Sequence, residues 1–395
     1  MVDTKRRSWG RRRGLYALAA LPLAVGLALT GCSGAGSGSG GGSTGGTGGG
    51  ALSDSEAADL IANATTEFPE KFSGPTEPVA APDGIKVGVV TCSSILSGCV
   101  SPATGVEEAV KSLGWEARVF DGGGSPDTQN SQMLNAISWG ANVILNIAID
   151  PNSVQDGLRA ADAAGVLVGG GSTGIDSPNP VVEPADGKLG YAFDVGPDYA
   201  SLGKKAADWI IGDSRGEANI VVYSDKTFPS VLAFQDGLVE GLDGCDGCTQ
   251  QDIQYFTGDQ VAQGLPQQIV SYLRSHTDVN YVFIPYDPAA AAIVPAIQQA
   301  GLTNVKLVSV LGSQENLNFV RDGRVQVADA AYDNLYMAYA MLDQTARQLT
   351  GAPLADPAGE SMPYVVLDES NVPDTGSDWH ASFDYASEFE ALWKG

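Results

Sequence analysis

Ile85-Lys86-Val87-Gly88-Val89-Val90-Thr91 is the stretch of sequence from which the fold is best inferred. A short, mainly β-branched apolar run that ends in a polar residue predicts a buried strand. A segment with helical spacing follows near residues 103–113, and a second strand is predicted at Glu116–Phe120. Helices that alternate with short apolar strands indicate parallel sheets that are covered on both faces.

The same alternation continues along the chain in two blocks. The first block adds strands at Val143–Ala148 and Val166–Val168 and helices near 127–139 and 152–164. After Gly190–Val195 the second block has helices near 198–211, 230–242, 263–275 and 288–300 and strands at Ile220–Tyr223, Ile253–Phe256, Tyr281–Ile284 and Lys306–Val310. The chain ends with a strand near Val325–Ala328, a helix near Asn334–Leu349 and a strand at Tyr364–Leu367. More than 300 residues are too many for one such sheet, so we expect two lobes.

The N-terminus has the layout of a bacterial secretory signal. Six basic residues precede an apolar run from Leu15 to Leu29, which Leu29-Thr30-Gly31-Cys32 closes. This end resembles the lipobox of bacterial lipoproteins, in which the cysteine is lipidated and becomes the new N-terminus. The alternative is an uncleaved membrane helix, but the apolar run has only about 15 residues where about 20 are needed. Arg12-Arg13 also fits a twin-arginine export signal.

We therefore predict a signal peptide at 1–31 and a lipidated Cys32 that begins a Gly/Ser tether over 32–50. A Gly-rich coil of this length has an r.m.s. span of roughly 25 Å. Residues 51–84 are predicted to form a collar before the main domain. The protein is expected on the extracytoplasmic face of the cell membrane.

The charge of the chain argues against a nucleic-acid partner. The formal net charge is −25. Removal of residues 1–31 takes away six Lys or Arg and one Asp, which leaves 16 basic and 46 acidic side chains and a charge of about −30. Such a charge repels phosphate backbones. No calcium-binding loop of the Asp-x-Asp-x-Asp-Gly type is present.

Four cysteines remain once Cys32 is assigned to a lipid. Proximity favours the pairs Cys92–Cys99 and Cys245–Cys248 among the three possible pairings. Export to an oxidising compartment makes disulfides the expected state. Cys245-Asp246-Gly247-Cys248 also fits a redox-active or half-zinc C-x-x-C motif, but it lies in a turn-like stretch and no second motif exists. A structural bridge is favoured, and no metal or cofactor is predicted.

Several short landmarks occur in a fixed order and spacing: Lys86–Val90, Gly105–Ala109, Gly140–Leu145 with Asp150-Pro151, Ala160–Val166, Asp198 with Gly203, and Asp287 with Ala290, Ala296 and Ala300-Gly301. Together they resemble the type I periplasmic binding proteins, in particular the sugar-binding group related to ribose- and galactose-binding proteins. The resemblance extends from about Ile85 to Val372. It implies two Rossmann-like lobes with parallel sheets, joined by three hinge crossovers near 193–196, 329–333 and 359–364.

The resemblance also implies the domain organisation and the partners. The N-terminal lobe would comprise 85–193 plus 331–360, and the C-terminal lobe 194–330 plus 361–395. The expected protein is a monomeric receptor that captures a small-molecule ligand and delivers it to an ABC permease and its ATPase. A sensor for a membrane signalling partner is one rival, and a secreted enzyme is another.

In open parallel sheets the ligand lies beyond the carboxyl ends of the strands. The predicted ligand-binding residues at these ends are Thr91, Ser93, Ser94, Asp150, Ser172, Thr173, Phe228, Phe234, Tyr286, Asp287, Leu311 and Tyr332.

The chain departs from the sugar-binding pattern at the polar positions of that group. Phe234 stands where those proteins have an Arg, Tyr286-Asp287 replaces Asn-Asp, Leu311-Gly312 replaces Asp-Gly, and Ser172-Thr173 replaces Asp-Arg. The loop from Cys92 to Cys99 replaces an aromatic pair.

A buried sugar hydroxyl without a partner costs about 1–3 kcal/mol, so we expect a ligand with fewer hydroxyls than a simple sugar, aromatic compounds included. The alternatives are a shifted alignment, or replacement polar groups at Asp150, Gln235 and Asp287 that leave an ordinary sugar receptor.

Two features that suggest enzymes are set aside. Gly169-Gly170-Gly171-Ser172-Thr173-Gly174 fits a dinucleotide fingerprint, but Pro178 and Pro180 prevent a helix from opening directly after it. The two histidines, His276 and His380, lack neighbours at metal-binding or triad spacing. No enzyme activity is predicted.

Overall fold

The computed structural model describes residues 51–174, 188–374 and 376–394. The predicted signal peptide, the lipidated Cys32 and the tether lie outside the described residues, as does the proline-containing stretch 175–180.

The described chain alternates helices and strands as the sequence predicts, and it has further elements at Thr249–Gln250, Gln314–Arg321 and Tyr385–Trp393 that were not predicted. The helices are α1 (Asp54–Thr65), α2 (Ser97–Ala109), α3 (Pro126–Trp139), α4 (Gln155–Ala164), α5 (Tyr199–Asp213), α6 (Pro229–Leu242), α7 (Gln260–Gln263), α8 (Leu265–Ser275), α9 (Asp287–Gln299), α10 (Gln314–Arg321), α11 (Asn334–Thr350) and α12 (Tyr385–Trp393). The strands are β1 (Lys86–Thr91), β2 (Glu116–Asp121), β3 (Val143–Ile147), β4 (Leu167–Gly171), β5 (Asp194–Val195), β6 (Asn219–Ser224), β7 (Thr249–Gln250), β8 (Gln254–Tyr255), β9 (Tyr281–Phe283), β10 (Lys306–Leu311), β11 (Gln326–Tyr332) and β12 (Tyr364–Leu367). Short 3-10 helices lie at Val110–Leu113 and Pro151–Ser153.

The first lobe is built on a five-stranded sheet in the order β2-β1-β3-β4-β5. All of its pairings are parallel. The central strand β3 is buried along its whole length, because helices cover both faces of the sheet. Helices α2, α3, α4 and α11 pack against this sheet or against one another.

The second lobe is built on a sheet in the order β12-β11-β10-β9-β6-β7, and β8 pairs with β6 beyond it. Its pairings are parallel except for β11 with β12, which is antiparallel. Helices α5 and α6 of this lobe pack closely against each other. The expected two-lobe α/β fold with mostly parallel sheets is thus confirmed.

The chain passes between the sheets three times in the predicted regions. It leaves the first sheet after β5, returns between β11 and α11, and crosses again between α11 and β12. Two of these crossings touch, because a Cβ at Gly359 would lie 2.1 Å from the Gly196 carbonyl oxygen. Glycine at position 359 therefore lets the two connecting segments approach each other.

The two ends of the described chain also link the lobes. Helix α1 packs against α5, and the Leu52 N–H donates to the Arg215 carbonyl at 2.8 Å. Helix α12 packs against α11, although we expected residues 361–395 to lie with the second lobe. The Val79 N–H donates to the Leu392 carbonyl at 2.9 Å, so the collar runs from the second lobe to the side of α12 and α11. The boundaries of the lobes remain a prediction.

Helix α2 begins at Ser97, six residues before the predicted start. Proline lacks the N–H that the interior of a helix uses. In the structure Pro102 lies in the second turn and is buried there.

None of the helices in the described part of the chain is both long enough and apolar enough to span a membrane.

The run Gly169–Gly171 has a packing role. A Cβ at Gly169 would lie 2.2 Å from the Phe193 ring, and one at Gly171 would lie 2.5 Å from Met341 Sδ. The glycines therefore allow large side chains to lie directly on β4.

Candidate functional site

A small cavity lies where the carboxyl ends of the strands of the two lobes face each other. Its volume is about 50 Å³, enough for a few water molecules. Both lobes contribute to its wall. The lining residues are Leu96, Gly98, Cys99, Ala148, Ser172, Phe228, Ser230, Val231, Pro285, Tyr286, Pro288, Leu311 and Tyr332.

The first-lobe wall is a loop closed by a disulfide. Cys92 and Cys99 are paired, as the sequence predicts, and both are buried. Ser94 fastens the loop, since its N–H donates to Asp121 Oδ1 at 2.9 Å and its hydroxyl donates to Asp121 Oδ2 at 2.6 Å. These bonds from Ser94 lower the pKa of Asp121. Leu96 of the loop and Gly98 of the first turn of α2 line the cavity, and the disulfide and the hydrogen bonds of Ser94 hold this part of the chain in place.

The second-lobe wall is largely aromatic. The ring of Tyr286 lies edge-on to Phe228, with centroids 6.2 Å apart, and tilted against Phe256 at 5.6 Å. The Tyr286 hydroxyl donates to Asp225, which is fully buried. Burial, reinforced by the neighbouring Asp225 carboxylate, raises the pKa of Tyr286. The ring is thus held by both packing and a hydrogen bond.

Leu311 enters the cavity from a strained turn at the end of β10. Its φ is 132°, in a region that a residue with a Cβ rarely adopts. Such a conformation costs about 1–3 kcal/mol and persists where the surroundings enforce it. Here the Gly312 N–H donates to Asp329 Oδ1 at 2.9 Å, and the Ser313 N–H donates to Asp287 Oδ2 at 2.7 Å.

The two carboxyl groups below this turn form one buried cluster. The Ser309 hydroxyl lies 2.6 Å from Asp287 Oδ1 and 3.2 Å from Asp329 Oδ2, and Gln326 donates to both Ser309 and Asp329. Burial raises the pKa of Asp287, and the negative charge of Asp329 adds to the effect. These carboxyl groups hold the cavity wall and do not line it.

The hinge side of the cavity carries two tyrosines. The Ser172 hydroxyl lies 3.0 Å from the Tyr199 hydroxyl, and the Tyr199 ring is perpendicular to Tyr332 at 5.9 Å. Nearby, burial raises the pKa of Asp194 to about 7, although N–H groups of Thr173 and Gly174 donate to it. Asp194 therefore holds a proton in part at neutral pH.

Of the predicted ligand-binding residues, the structure brings five together around the cavity: Ser172, Phe228, Tyr286, Leu311 and Tyr332. The others lie behind or beside it. Thr91, Ser93 and Thr173 are buried at the strand ends. Ser94 contacts Asp121, and Asp287 contacts Ser309, as described above.

Two predicted residues lie away from the cavity for clear reasons. Phe234 is buried and stacks on Phe283 with centroids 5.2 Å apart, because its position on α6 faces the sheet. Asp150 caps the 3-10 helix Pro151–Ser153 and accepts from the Asn152 N–H at 2.8 Å.

The sequence reasoning missed the first turns of the helices. Ser230 and Val231 at the start of α6 and Pro288 at the start of α9 line the cavity. In a parallel α/β lobe these turns follow the strand ends and share their edge of the sheet. That rule, applied to the predicted helix starts, would have found them.

The chemistry of the cavity is mainly that of an apolar pocket. No charged side chain is among the described residues that line it. Two hydroxyl groups at the strand ends, Thr91 Oγ1 and Ser224 Oγ, are buried without a hydrogen-bond partner in the described structure. Over the described ranges, no group of three or more His, Cys, Asp or Glu side chains is placed to hold a metal ion.

Comparison with solved structures identifies the same fold in bacterial binding proteins. An ABC sugar transporter subunit from Rhodobacter sphaeroides is 18% identical, with a TM-score of 0.61, over 73% of this chain and 99% of that chain. A Caulobacter myo-inositol binding protein bound to myo-inositol is 21% identical, with a TM-score of 0.61, over 73% and 94%. An Agrobacterium vitis ABC transporter solute binding protein bound with α-D-tagatopyranose is 18% identical, with a TM-score of 0.63, over 74% and 97%. No curated protein sequence is significantly similar to this chain.

A family profile described as "Periplasmic binding protein domain" matches residues 88–353, which is more than half of the chain. The match includes most of both sheets, with β12 outside it, and the elements that line the cavity. The family is one of binding proteins rather than enzymes. This chain belongs to the periplasmic binding protein family.

Proposed function

We propose that this protein is an extracytoplasmic receptor that captures a small molecule between its lobes and delivers it to an ABC importer. The observation that carries the proposal is the cavity at the strand ends, whose wall comes from both lobes. A ligand that touches both lobes only when they are closed shifts the population toward the closed form. Because the cavity is small, ligand entry requires the lobes to separate.

The ligand we favour has fewer hydroxyl groups than a simple sugar and includes aromatic compounds. The apolar part of the wall consists of Leu96, Phe228, Val231, Pro285, Pro288 and Leu311. The hydroxyl groups of Tyr286 and Ser172, which also line the cavity, already have hydrogen-bond partners in the protein. A sugar hydroxyl buried against this wall would lose its hydrogen bonds to water, at a cost of about 1–3 kcal/mol each.

An ordinary sugar receptor is the second candidate. The hydroxyls of Thr91 and Ser224 favour it, since they lie at the strand ends near the cavity and have no hydrogen-bond partner in the described structure. The Caulobacter and Agrobacterium vitis relatives were solved with a polyol and a sugar.

The deciding experiment is a thermal-shift screen of the mature protein with sugars, polyols, nucleosides, amino acids and aromatic acids. A ligand at 100 times its dissociation constant stabilises the folded state by about 2.7 kcal/mol. We expect stabilisation by deoxy or aromatic compounds and none by plain hexoses. A hexose that stabilises the protein as strongly would favour the sugar receptor, and no stabilisation by any class would count against a solute receptor.

Membrane attachment is proposed from the sequence. Cys32 would carry the lipid, and residues 33–50 would tether the domain. The test compares the chain with a Cys32→Ala variant in a bacterial host. The unchanged protein should fractionate with membranes and the variant should not. Equal membrane retention of both would contradict lipid attachment at Cys32.

A further inference from the structure

Gly98 lies so close to the second lobe that a side chain at this position would be crowded. A Cβ built at Gly98 would lie 3.2 Å from Leu311 Cδ2 and 3.3 Å from Leu311 Cδ1, and the third nearest atom is also from Leu311. The backbone at Gly98 is helical and outside the left-handed region, so its conformation does not require glycine. The close approach of Leu311 across the cleft is what the missing side chain permits.

Leu311 cannot easily withdraw from this contact. Its strained turn is held by the buried carboxyl groups of Asp329 and Asp287, as described above. Leu311 is itself buried. The backbone that carries Leu311 is therefore held in place on the second-lobe side of the contact.

The first-lobe side is also fixed. Gly98 lies one residue before Cys99 of the disulfide, in a loop that Ser94 fastens to Asp121. Beside the contact, Ser97 Oγ lies 3.1 Å from Ser313 Oγ, which marks the place where the two lobes meet.

We propose that the contact between Gly98 and Leu311 is the stop that sets how far the lobes close, and hence the size of ligand that the cavity accepts. This inference rests on the proposed receptor function and narrows its ligand class. Gly98 and Leu311 both line the cavity and present no polar side chain. The ligand that fits such a cavity is compact, and the part of it that faces Gly98 and Leu311 is apolar, such as a methyl group, a ring carbon without a hydroxyl group, or an aromatic ring.

The first test measures closure without a ligand. Ser97→Cys with Ser313→Cys supplies two thiols at the meeting point, and mild oxidation links them whenever the lobes close; the linked peptide is quantified by mass spectrometry. Adding Gly98→Leu should slow linking by about tenfold, because the larger side chain meets Leu311. Adding Leu311→Ala to that variant should restore linking to near the starting rate, since it removes the clashing atoms.

Each outcome of this test is decisive. Failure of the two cysteines to link, linking that Gly98→Leu does not slow, or slowing that Leu311→Ala does not relieve would each overturn the stop. The matched control is Val100→Leu, on the exposed side of the same helix, which should leave the rate unchanged.

The second test measures size selection. With benzoate, phenylacetate and 3-phenylpropionate as probes in thermal-shift assays, Leu311→Ala should move the preference toward the longer acids. An unchanged order of probes that do bind would argue against size control by Leu311. If none of the wider compound panel stabilises the unmodified protein, the receptor function fails, while the linking experiment still decides whether the stop exists.

Discussion

The Tyr286 hydroxyl donates a hydrogen bond to Asp225 Oδ2 across 3.2 Å, and both residues are buried. The other carboxylate oxygen of Asp225 accepts from the Thr227 N–H at 2.9 Å. The bond connects the ring on the cavity wall to the loop after β6. Two neighbouring strand ends of the second lobe are thereby held in one arrangement.

Tyr286→Phe should lower the free energy of unfolding by about 1–3 kcal/mol, because it leaves the buried Asp225 without one of its donors. Urea unfolding followed by fluorescence measures the change. The control is Tyr255→Phe, which removes a hydroxyl from a more exposed ring. Equal losses in the two variants would show that Asp225 does not depend on Tyr286.

Stability should decrease as the pH rises from about 4 to 7. The pKa of Asp194 is about 7 in the folded protein and about 3.9 in the unfolded chain, so the folded state holds more protons across this interval. The slope from one such group is at most about 1.4 kcal/mol per pH unit. His380, whose pKa is raised by its hydrogen bond with Asp333, adds a further loss of stability as the pH rises above about 6.5.

Asp194→Asn should make this pH dependence shallower without abolishing it, as measured by urea unfolding at pH 5, 6, 7 and 8. Asp162→Asn, at an exposed position on α4, serves as the control. A slope as steep as that of the unmodified protein would mean that Asp194 is not the main titrating group.

Removing either disulfide should reduce stability by about 2 kcal/mol, since both close short loops. Only the pair Cys92→Ser and Cys99→Ser should also weaken ligand binding, because that loop lines the cavity. Cys245→Ser with Cys248→Ser is the matched control, located beside the opposite end of β6, where β7 pairs. Calorimetric titration with a compound from the thermal-shift screen is the measurement; equal weakening by both pairs would indicate a general loss of structure.

Asp378 joins the two lobes through its carboxylate. One oxygen accepts from the Ser101 hydroxyl on α2 at 2.9 Å, and the other accepts from the Gln314 N–H at the start of α10 at 3.0 Å. The neighbouring Trp379 is buried against the second lobe, where its N–H donates to the Gly312 carbonyl at 2.8 Å.

Asp378→Ala should favour separation of the lobes by about 1–3 kcal/mol, because two hydrogen bonds are lost. Hydrogen exchange should show faster exchange at the Gln314 amide. Asp374→Ala, at an exposed position nearby, should leave that amide unchanged. Unaltered protection in Asp378→Ala would indicate that the bridge does not hold the lobes together.

The fold was largely predictable because most of the central strands are short apolar runs and the helices between them show helical spacing of their apolar residues. Some features of the fold depend on tertiary contacts that the local sequence does not determine. The partner of α12 is α11 rather than an element of the second sheet, and nothing local in residues 385–393 distinguishes the two. The start of α2 at Ser97 lies inside the loop that the disulfide between Cys92 and Cys99 closes.

The site was predictable at the strand ends and less so elsewhere. Tyr286 and Leu311 line the cavity because they end or follow strands of the second sheet. Phe234 lies one helical turn after Val231 on the same side of α6. The first turn, with Val231, reaches the cavity, whereas Phe234 in the next turn packs on Phe283 in the core. The role of Gly98 depends on the distance between the lobes, which no single-chain pattern encodes.

The docking of α1 onto α5 has a consequence for stability. Leu52 is bonded to Arg215, in the turn that leads into β6, whereas the cavity lies at the far end of that strand. The described chain therefore begins at the end of the second lobe that is remote from the cavity, so a substitution at Leu52 acts on stability without touching the cavity wall.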